Sequence, residues 1–258
     1  MSSKLCTILI TGANRGIGRA LAEAYLSRPN HTVIASIRNP ESTTLKAFEP
    51  AEGSRLLVVK IEATSASDPA AAIETIKAAG ITALDVVITV TGINPTSAFA
   101  EVKDMDPAKL EELFQVNTFS FVKLFSATHP LLKAAADNAA ARAGPPKLVA
   151  ISSFVGQLVE MQSNIPLQVG AYGASKAALN YLVRRAHFEN PWLACWVMNP
   201  GFVQTDNGNA CAELWGMGQA PDALKDVVPA MMARIDEATP EKSKVHTPHH
   251  PVYDRRNQ

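Results

Sequence analysis

Short apolar segments alternate with longer segments of helical periodicity along most of the chain. The apolar segments have the length and aliphatic composition typical of buried strands. They cover residues 5–10, 31–36, 55–61, 84–90, 147–151 and 193–198. The helical segments cover residues 16–27, 69–79, 107–132 and 172–189. This alternation predicts βαβ units, and right-handed crossovers then give a single α/β domain with a doubly wound parallel sheet between two helical layers.

Residues 1–238 carry this pattern without an internal repeat or a linker, so we expect them to form one domain. Residues 206–225, after the last predicted strand, are expected to form a lid over a substrate. The alanine-rich stretch 134–144 predicts a helix end and a surface loop. The polar tail 239–258 is expected on the surface or partly disordered. Metal binding is an alternative for His246, His249 and His250 in this tail, but a solvated tail is favoured and no metal site is predicted.

The charges of the chain balance, with 24 basic and 24 acidic residues among 258. This balance disfavours a nucleic-acid or anionic-membrane partner. The N-terminal apolar run is too short for a signal peptide, and no run reaches the roughly 20 residues that span a bilayer. We therefore expect a cytoplasmic protein with no membrane partner. Cys6, Cys195 and Cys211 lack metal-ligand spacing and are interpreted as free thiols.

Tyr172 and Lys176 lie on the same face of a predicted helix, because three residues separate them. A lysine ammonium at that spacing stabilises a phenolate and lowers a tyrosine pKa that is ordinarily about 10. The tyrosine then becomes a usable proton donor near neutral pH. The spacing alone is weak evidence, because it also arises by chance on ordinary helices.

A glycine-rich segment, residues 11–18, follows the first predicted strand and opens the first helix. Glycines permit a tight turn and let a pyrophosphate approach the backbone at a helix N-terminus. The segment therefore predicts a dinucleotide site in a Rossmann-like fold, at the carboxyl ends of the strands. The residues expected to form this site are Gly12, Asn14, Arg15, Gly16, Ile17 and Gly18.

The end of the second predicted strand indicates which dinucleotide binds. NAD-selective sites place a carboxylate there to bind the ribose hydroxyls, but residues 35–39 contain no acid. Ser36, Arg38 and Arg15 can instead bind a 2′-phosphate, since guanidinium groups match phosphate oxygens well. We therefore predict NADP(H). The alternative is that both arginines are solvated surface residues.

Further motifs follow in a set order along the chain. Asn117 lies in a predicted helix, Ser153 follows the fifth strand, and residues 200–205 follow the sixth. Together with the glycine segment, Tyr172 and Lys176, they resemble the short-chain dehydrogenase/reductase family over nearly the whole chain. Residues 171–179 and 187–192 further resemble one branch of it, the fungal ketoreductases of the norsolorinic-acid type.

The resemblance implies NADPH-dependent reduction of a ketone. It implies that Tyr172 gives a proton to the carbonyl oxygen and that Ser153 binds this oxygen. Lys176 would bind the nicotinamide ribose and lower the tyrosine pKa, and Asn117 would hold a water that links Lys176 to solvent. Plain alternatives are a strand-end role for Ser153 and a helix-bending role for Asn117.

The resemblance also assigns cofactor contacts beyond the glycine segment. These are Glu62, Gly92, Tyr172, Lys176, Pro200, Gly201, Val203 and Thr205. Glu62 is equally an ordinary exposed acid at a strand end, and Thr205 has a turn-capping alternative.

Apolar and thioether side chains around the predicted lid suit a flat hydrophobic substrate. We expect an aromatic polyketide-like or polycyclic secondary-metabolite ketone. Its expected contacts are Asn94, Phe154, Met161, Phe202, Leu214 and Trp215. The alternative is that these side chains only pack the lid against the body. By resemblance, the two long helices form the interface of a homodimer or homotetramer.

The chain departs from the family pattern in three places. Residues 89–91 read Thr-Val-Thr where the family has an asparagine that braces the sheet, so Val90 is expected to weaken the fold or the cofactor site. Ser153 and Tyr172 lie further apart than is usual, which predicts an enlarged loop beside the substrate. The C-terminus lacks the glycine- and aromatic-bearing last strand of related chains.

Three functions are therefore compared. An NADPH-dependent ketoreductase is the leading hypothesis. A non-redox cyclase or lyase that retains the cofactor is the alternative, and a catalytically silent dinucleotide-binding regulator is the third.

Overall fold

The computed structural model describes residues 5–159 and 161–243, without the side chains of residues 163–165. The strands are β1 (Cys6–Thr11), β2 (His31–Ile37), β3 (Arg55–Lys60), β4 (Val86–Thr89), β5 (Lys147–Ile151) and β6 (Ala194–Met198). The helices are α1 (Gly16–Leu26), α2 (Asp68–Ala78), α3 (Pro107–Phe114), α4 (Ser120–Asp137), α5 (Gly170–Glu189), α6 (Asp206–Leu214), α7 (Leu224–Glu237) and α8 (Pro240–Ser243).

The six strands form one parallel sheet in the order β3-β2-β1-β4-β5-β6. The order reverses between β1 and β4, and doubly wound sheets bind ligands at such a crossover point. The predicted single α/β domain is confirmed. All six predicted strands are present, and so are the four predicted helical segments, with shifts at their ends.

Alternate residues of each strand pack on opposite faces of the sheet. Ile8 and Ile10 of β1 face α1 and α7, whereas Leu9 faces α2, α4 and α5. Leu148 and Val149 of β5 divide between the two faces in the same way. Both faces of the sheet are therefore buried. This explains why the strands are continuous apolar runs in the sequence and not alternations of apolar and polar residues.

The sequence pattern does not predict the three helices α6, α7 and α8. The predicted lid, residues 206–225, contains α6 and the first two residues of α7. Helix α7 contains Pro229, which is ordinarily read as a helix breaker, yet Val227 and Met231 are buried and join the core beside α1. Tertiary packing therefore overrides a local signal.

The beginning of the predicted tail is folded. Residues 240–243 form α8, which lies beside β6 with Ser243 buried. Among the described residues, β6 is the edge strand of the sheet. The C-terminal segment that departs from the family pattern lies outside the described residues. His246, His249 and His250 lie outside the described residues. Across residues 5–159 and 161–243, no helix is long and apolar enough to cross a bilayer, and no metal-binding cluster is found.

Thr11 supports the end of β4, where the chain carries Val90. Its Oγ1 accepts hydrogen bonds from the amides of Val90 and Thr91, at 3.0 and 3.2 Å. Thr11 is buried, and the partly buried Val90 side chain packs against the core. The end of β4 is thus tied to the end of β1 through one hydroxyl, so Val90 does not leave the strand end unsupported.

Thr11→Val is expected to lower the free energy of unfolding by about 2 kcal/mol, because the isosteric change leaves two amides without their acceptor. Urea denaturation of the protein measures this loss. Thr75→Val is the matched control, since the exposed Thr75 hydroxyl bonds only to its own helix, at Ala71 O. Equal effects of the two substitutions would contradict the bracing role of Thr11.

Candidate active site

A cleft of about 830 Å³ opens at the carboxyl ends of the strands. Most of the predicted site residues line it, although they come from loops far apart in the sequence. They are Gly12, Asn14, Arg15, Gly16, Ile17, Ser36, Arg38, Glu62, Gly92, Asn94, Ser153, Phe154, Tyr172, Lys176, Pro200, Gly201, Phe202, Val203, Thr205 and Trp215. The described residues that were predicted but lie outside its lining are Gly18, Asn117, Met161 and Leu214.

The glycine segment has the geometry of a phosphate loop. Gly12 and Gly16 have φ of +64° and +56°, a left-handed conformation that favours glycine. Gly18 lies below the loop, where an added Cβ would stand 2.4 Å from the Gly12 carbonyl oxygen. At the N-cap of α1, Arg15 makes no side-chain capping bond. The first-turn amides and the helix dipole therefore suit a pyrophosphate.

The two arginines at the mouth of the cleft each lie close to a carboxylate. Arg15 donates to Asp206 at 2.7 Å, a contact that joins the glycine loop to α6. Arg38 Nε lies 3.7 Å from Glu62 Oε2. Both guanidinium groups are largely exposed, so these pairs are screened by water and contribute little stability. Either arginine can therefore exchange its partner for a phosphate at small cost.

Tyr172 and Lys176 share one face of α5, and Ser153 lies at the end of β5 beside them. The Lys176 ammonium is 5.6 Å from the centre of the Tyr172 ring and donates to the Ile151 carbonyl oxygen at 2.9 Å. Ser153 Oγ accepts a weak bond from the Val155 amide at 3.4 Å and also hydrogen-bonds with Tyr172. The three predicted catalytic side chains that line the cleft are thus brought together.

Burial is the main cause of the pKa shifts of Tyr172 and Lys176. Removal from water raises the pKa of the Tyr172 phenol above its ordinary value, the nearby Cys211 thiol raises it further, and the hydrogen bond with Ser153 opposes both. Burial also lowers the pKa of Lys176 from 10.5 to about 8. The net shift of the tyrosine pKa is upward, opposite to the predicted one, because burial disfavours the charged phenolate. Tyr172 is therefore a neutral acid at pH 7, able to donate a proton rather than to take one.

Asn117 lies beneath the cleft, in a π-helical turn (Gln115–Phe119) that separates α3 from α4. Its Oδ1 accepts from the Ile93 amide at 2.8 Å, and its Nδ2 donates to the Ile93 carbonyl and to Ser175 Oγ, both at 3.0 Å. Ser175 in turn donates to the Tyr172 carbonyl at 2.8 Å. The predicted 107–132 helix is therefore interrupted, and the interruption fixes α5 against the loop after β4. Wide helical turns of this kind are frequent at functional sites.

Two glycines let the turn after Ser153 press against α5. A Cβ on Gly156 would lie 2.8 Å from Lys176 Cβ, and one on Gly173 would lie 2.9 Å from the Val155 carbonyl oxygen. The sequence pattern does not single out Gly156 or Gly173 as site residues. In the sequence they are simply a glycine after a strand and a glycine near a helix start. The need for glycine arises from the close approach of two backbones, which only the tertiary structure shows.

The substrate side of the cleft is partly aromatic. Trp215 packs on Phe202 with ring centres 5.6 Å apart. Helix α6 presents Asn207 and Cys211 to the cleft, and Trp215, the residue that follows the helix, continues the interval of four residues. Cys211 was not predicted as a site residue, although this helical spacing was available in the sequence.

Two predicted substrate contacts, Leu214 and Met161, do not line this cleft. Leu214 is 57% exposed, because it lies off the α6 face that carries Cys211 and Trp215. Met161 is 45% exposed in the 3₁₀ helix Met161–Leu167, within the enlarged loop after β5. The direction in which each side chain leaves its helix determines whether it reaches the cleft, and the order of residues in the sequence does not specify this direction.

The family model for short chain dehydrogenase matches residues 6–213. The chain is 42% identical over 244 residues to norsolorinic acid ketoreductase nor1 of Dothistroma septosporum, with 93% of this chain and 88% of that protein aligned. It is 40% identical over 241 residues to norsolorinic acid ketoreductase of Aspergillus parasiticus, with 92% and 86% aligned. In fold it is similar to NADPH-bound carbonyl reductase from chicken fatty liver, with a TM-score of 0.79, 24% identity, and 93% and 90% of the two chains covered.

The family match spans most of the chain, and the fungal relatives confirm the resemblance to the norsolorinic-acid-type branch. The chain therefore belongs to the short-chain dehydrogenase/reductase family and is an oxidoreductase that acts on carbonyl or alcohol groups.

Proposed function

We propose that the protein uses NADPH to reduce a ketone on a hydrophobic, aromatic polyketide-like or polycyclic secondary metabolite. The observation that carries this proposal is the placement of Ser153, Tyr172 and Lys176 in the same cleft as the glycine loop. The aromatic wall formed by Phe202 and Trp215 supports a flat substrate. Two relatives that are 40–42% identical are named as ketoreductases of norsolorinic acid, which supports the substrate class.

When bound, NADPH supplies a hydride to the carbonyl carbon. Negative charge then develops on the carbonyl oxygen, and the hydroxyl groups of Ser153 and Tyr172 are placed to stabilise it. Tyr172 gives its proton to that oxygen, so an alcohol forms and a phenolate remains. The Lys176 cation near the ring favours this phenolate, and its burial strengthens the attraction.

Selection of the phosphorylated cofactor is assigned to Arg38, Arg15 and Ser36. Arg38 and Ser36 line the cleft beyond the glycine loop, and Arg15 stands at the start of α1. Glu62 is a weak competitor for Arg38, since their closest approach is 3.7 Å. The same carboxylate would disfavour a 2′-phosphate if Arg38 were absent.

The remaining expectations form part of the proposal. Residues 206–225 act as the lid over the substrate. Residues 1–238 form the domain and 239–258 the tail, the first part of which, α8, packs against β6. The exposed apolar side chains Val122 on α4 and Tyr181 and Phe188 on α5 support assembly into a homodimer or homotetramer. A cytoplasmic location is also part of the proposal.

Oxidation of NADPH in the presence of quinones, aryl ketones and anthrones tests the activity. Tyr172→Phe is expected to lower kcat by at least about a hundredfold, because it removes the proton donor. NADPH binding should persist. Tyr181→Phe, on an exposed tyrosine of the same helix, is the matched control. Full activity of the Tyr172 variant would refute the proton-donor role, and tight NADPH binding without any turnover would favour the cyclase or lyase alternative.

Arg38→Ala is expected to lower the ratio of kcat/KM with NADPH to that with NADH by about tenfold, since one charge-assisted bond to the 2′-phosphate is lost. Arg28→Ala is the control, because the Arg28 guanidinium is bound to Asp236 outside the cleft lining. A ratio that stays unchanged in the Arg38 variant would exclude this arginine as the selector.

The burial of Lys176 predicts a pH-dependent stability difference. Its pKa is about 8 in the folded protein and 10.5 in the unfolded chain, so the unfolded chain binds more protons between these pH values. Stability of the wild-type protein should therefore rise, relative to Lys176→Met, as the pH increases from 8 to 10.5, and the difference should be constant below that window. Urea denaturation without cofactor measures it. Lys77→Met is the control, because it removes an exposed lysine. If the stability difference between wild type and Lys176→Met rises with pH no more steeply than the difference for Lys77→Met, the lowered pKa of Lys176 is contradicted.

A further inference from the structure

The loop between β3 and α2, residues 61–67, forms one wall of the cleft beyond the glycine loop. Ile61, Glu62 and Ala63 line the cavity there. Arg38, which is assigned to the 2′-phosphate, lies against the same wall, because its Nε is 3.7 Å from Glu62 Oε2. In NADP(H) the 2′-phosphate and the adenine share one ribose. A phosphate at Arg38 therefore brings the adenosine half of the cofactor next to this loop.

One part of the loop is fixed by its neighbours in the sequence. Asp68 begins α2, and its carboxylate accepts from the Glu62 amide and from Ser65 Oγ, both at 2.9 Å. The Glu62 carbonyl oxygen in turn accepts from the Ser65 amide at 3.0 Å. These short-range bonds leave the carbonyl oxygens of Ala63 and Thr64 for other donors.

Lys123 fixes this second part of the loop from a distant helix. Its Nζ donates to the carbonyl oxygens of Ala63 at 3.3 Å and of Thr64 at 3.0 Å, which lie 60 and 59 positions away in the chain. An ammonium group has several donors and no acceptor, so two adjacent carbonyl groups suit it. Phe121 and Leu124, on either side of Lys123 in α4, are buried in the core. The loop is thereby attached to a helix that the core holds in place.

Lys123 acts on the cleft only through the loop, because it does not itself line the cavity. Its side chain is half-buried, so removal of the ammonium should loosen the loop and not unfold the domain. A loosened loop has to be ordered when a ligand binds against it, and this ordering lowers the affinity. The two bonds of Lys123 meet that cost before the ligand arrives.

We infer that Lys123 is a positioning residue for the cofactor, and that it holds the loop after β3 in the shape that receives the adenosine half of NADP(H). The inference rests on the proposed use of NADPH and adds to it a residue that lies outside the cleft. The start of α4 then supports two walls of the cleft, since Asn117, just before this helix, bonds to Ile93 in the loop after β4.

Lys123→Met tests the inference, because methionine keeps an apolar stem but has no donor. The Kd of the variant for NADPH is expected to rise by about three- to tenfold, the cost of ordering a short loop. The same rise is expected for adenosine 2′,5′-bisphosphate, which carries the 2′-phosphate but no nicotinamide. Isothermal titration measures both Kd values. Lys123→Arg keeps donors at this position and should stay within about twofold of the wild-type Kd.

Lys133→Met is the matched control, since it makes the same change on the same helix, where the lysine pairs with the exposed Asp137. It should leave both Kd values unchanged. Hydrogen exchange of the ligand-free protein separates a local effect from a general one. In Lys123→Met the amides of residues 62–66 should exchange faster, whereas those of the central strands should not.

Unchanged Kd values in Lys123→Met would overturn the inference. So would equal losses in the Met and Arg variants, or faster exchange spread over the whole protein. The reductase proposal fails separately. Absence of turnover with every ketone would refute the reductase, while a Kd for adenosine 2′,5′-bisphosphate that depends on Lys123 would still support the positioning role. If the wild-type protein bound neither compound, both proposals would be overturned.

Discussion

The Lys176 ammonium donates to the Ile151 carbonyl at the end of β5, and much of the site is arranged around this contact. A buried cation needs partners, and backbone is the nearest source of acceptors. The approach is possible because residue 156 is glycine: a Cβ at Gly156 would stand 2.8 Å from Lys176 Cβ. The hydrogen bond from Lys176 thus fixes the distance between α5, which carries Tyr172, and the end of β5.

A second set of contacts fixes the same helix from the other side. The Asn117 amide joins the loop after β4 to Ser175, and Thr118 Oγ1 donates to the Ser175 carbonyl at 2.8 Å. An asparagine in a regular helix would not reach both partners so easily, and the π-helical turn accommodates it. The position of the helix that carries Tyr172 therefore depends on buried side-chain hydrogen bonds, whereas the exposed ion pairs of Arg15 and Arg38 can exchange partners.

The electrostatics of the cleft differ between its two ends. At the glycine-loop end, exposed arginines meet the exposed Asp206 and the half-buried Glu62, and water screens both pairs. At the reacting end, burial raises the pKa of Tyr172 and lowers that of Lys176, so both groups move toward their neutral forms. In the proposed reaction a neutral phenol suits proton donation, and Lys176 stabilises the phenolate because its pKa of about 8 keeps most of it charged at pH 7.

The sequence by itself determined the sheet, the glycine loop and the family. The apolar strands are continuous because both faces of the sheet are buried, and the loop needs glycine at Gly12 and Gly16 because of their left-handed backbone. Each requirement acts on a short segment of the chain, so it is visible directly in the sequence of that segment. Only the tertiary structure decided that Thr11 supports the end of β4, that Leu214 points away from the cleft, and that Asn94 meets Cys211. Each of these depends on the direction of side chains from segments far apart in the chain, which periodicity and spacing do not specify.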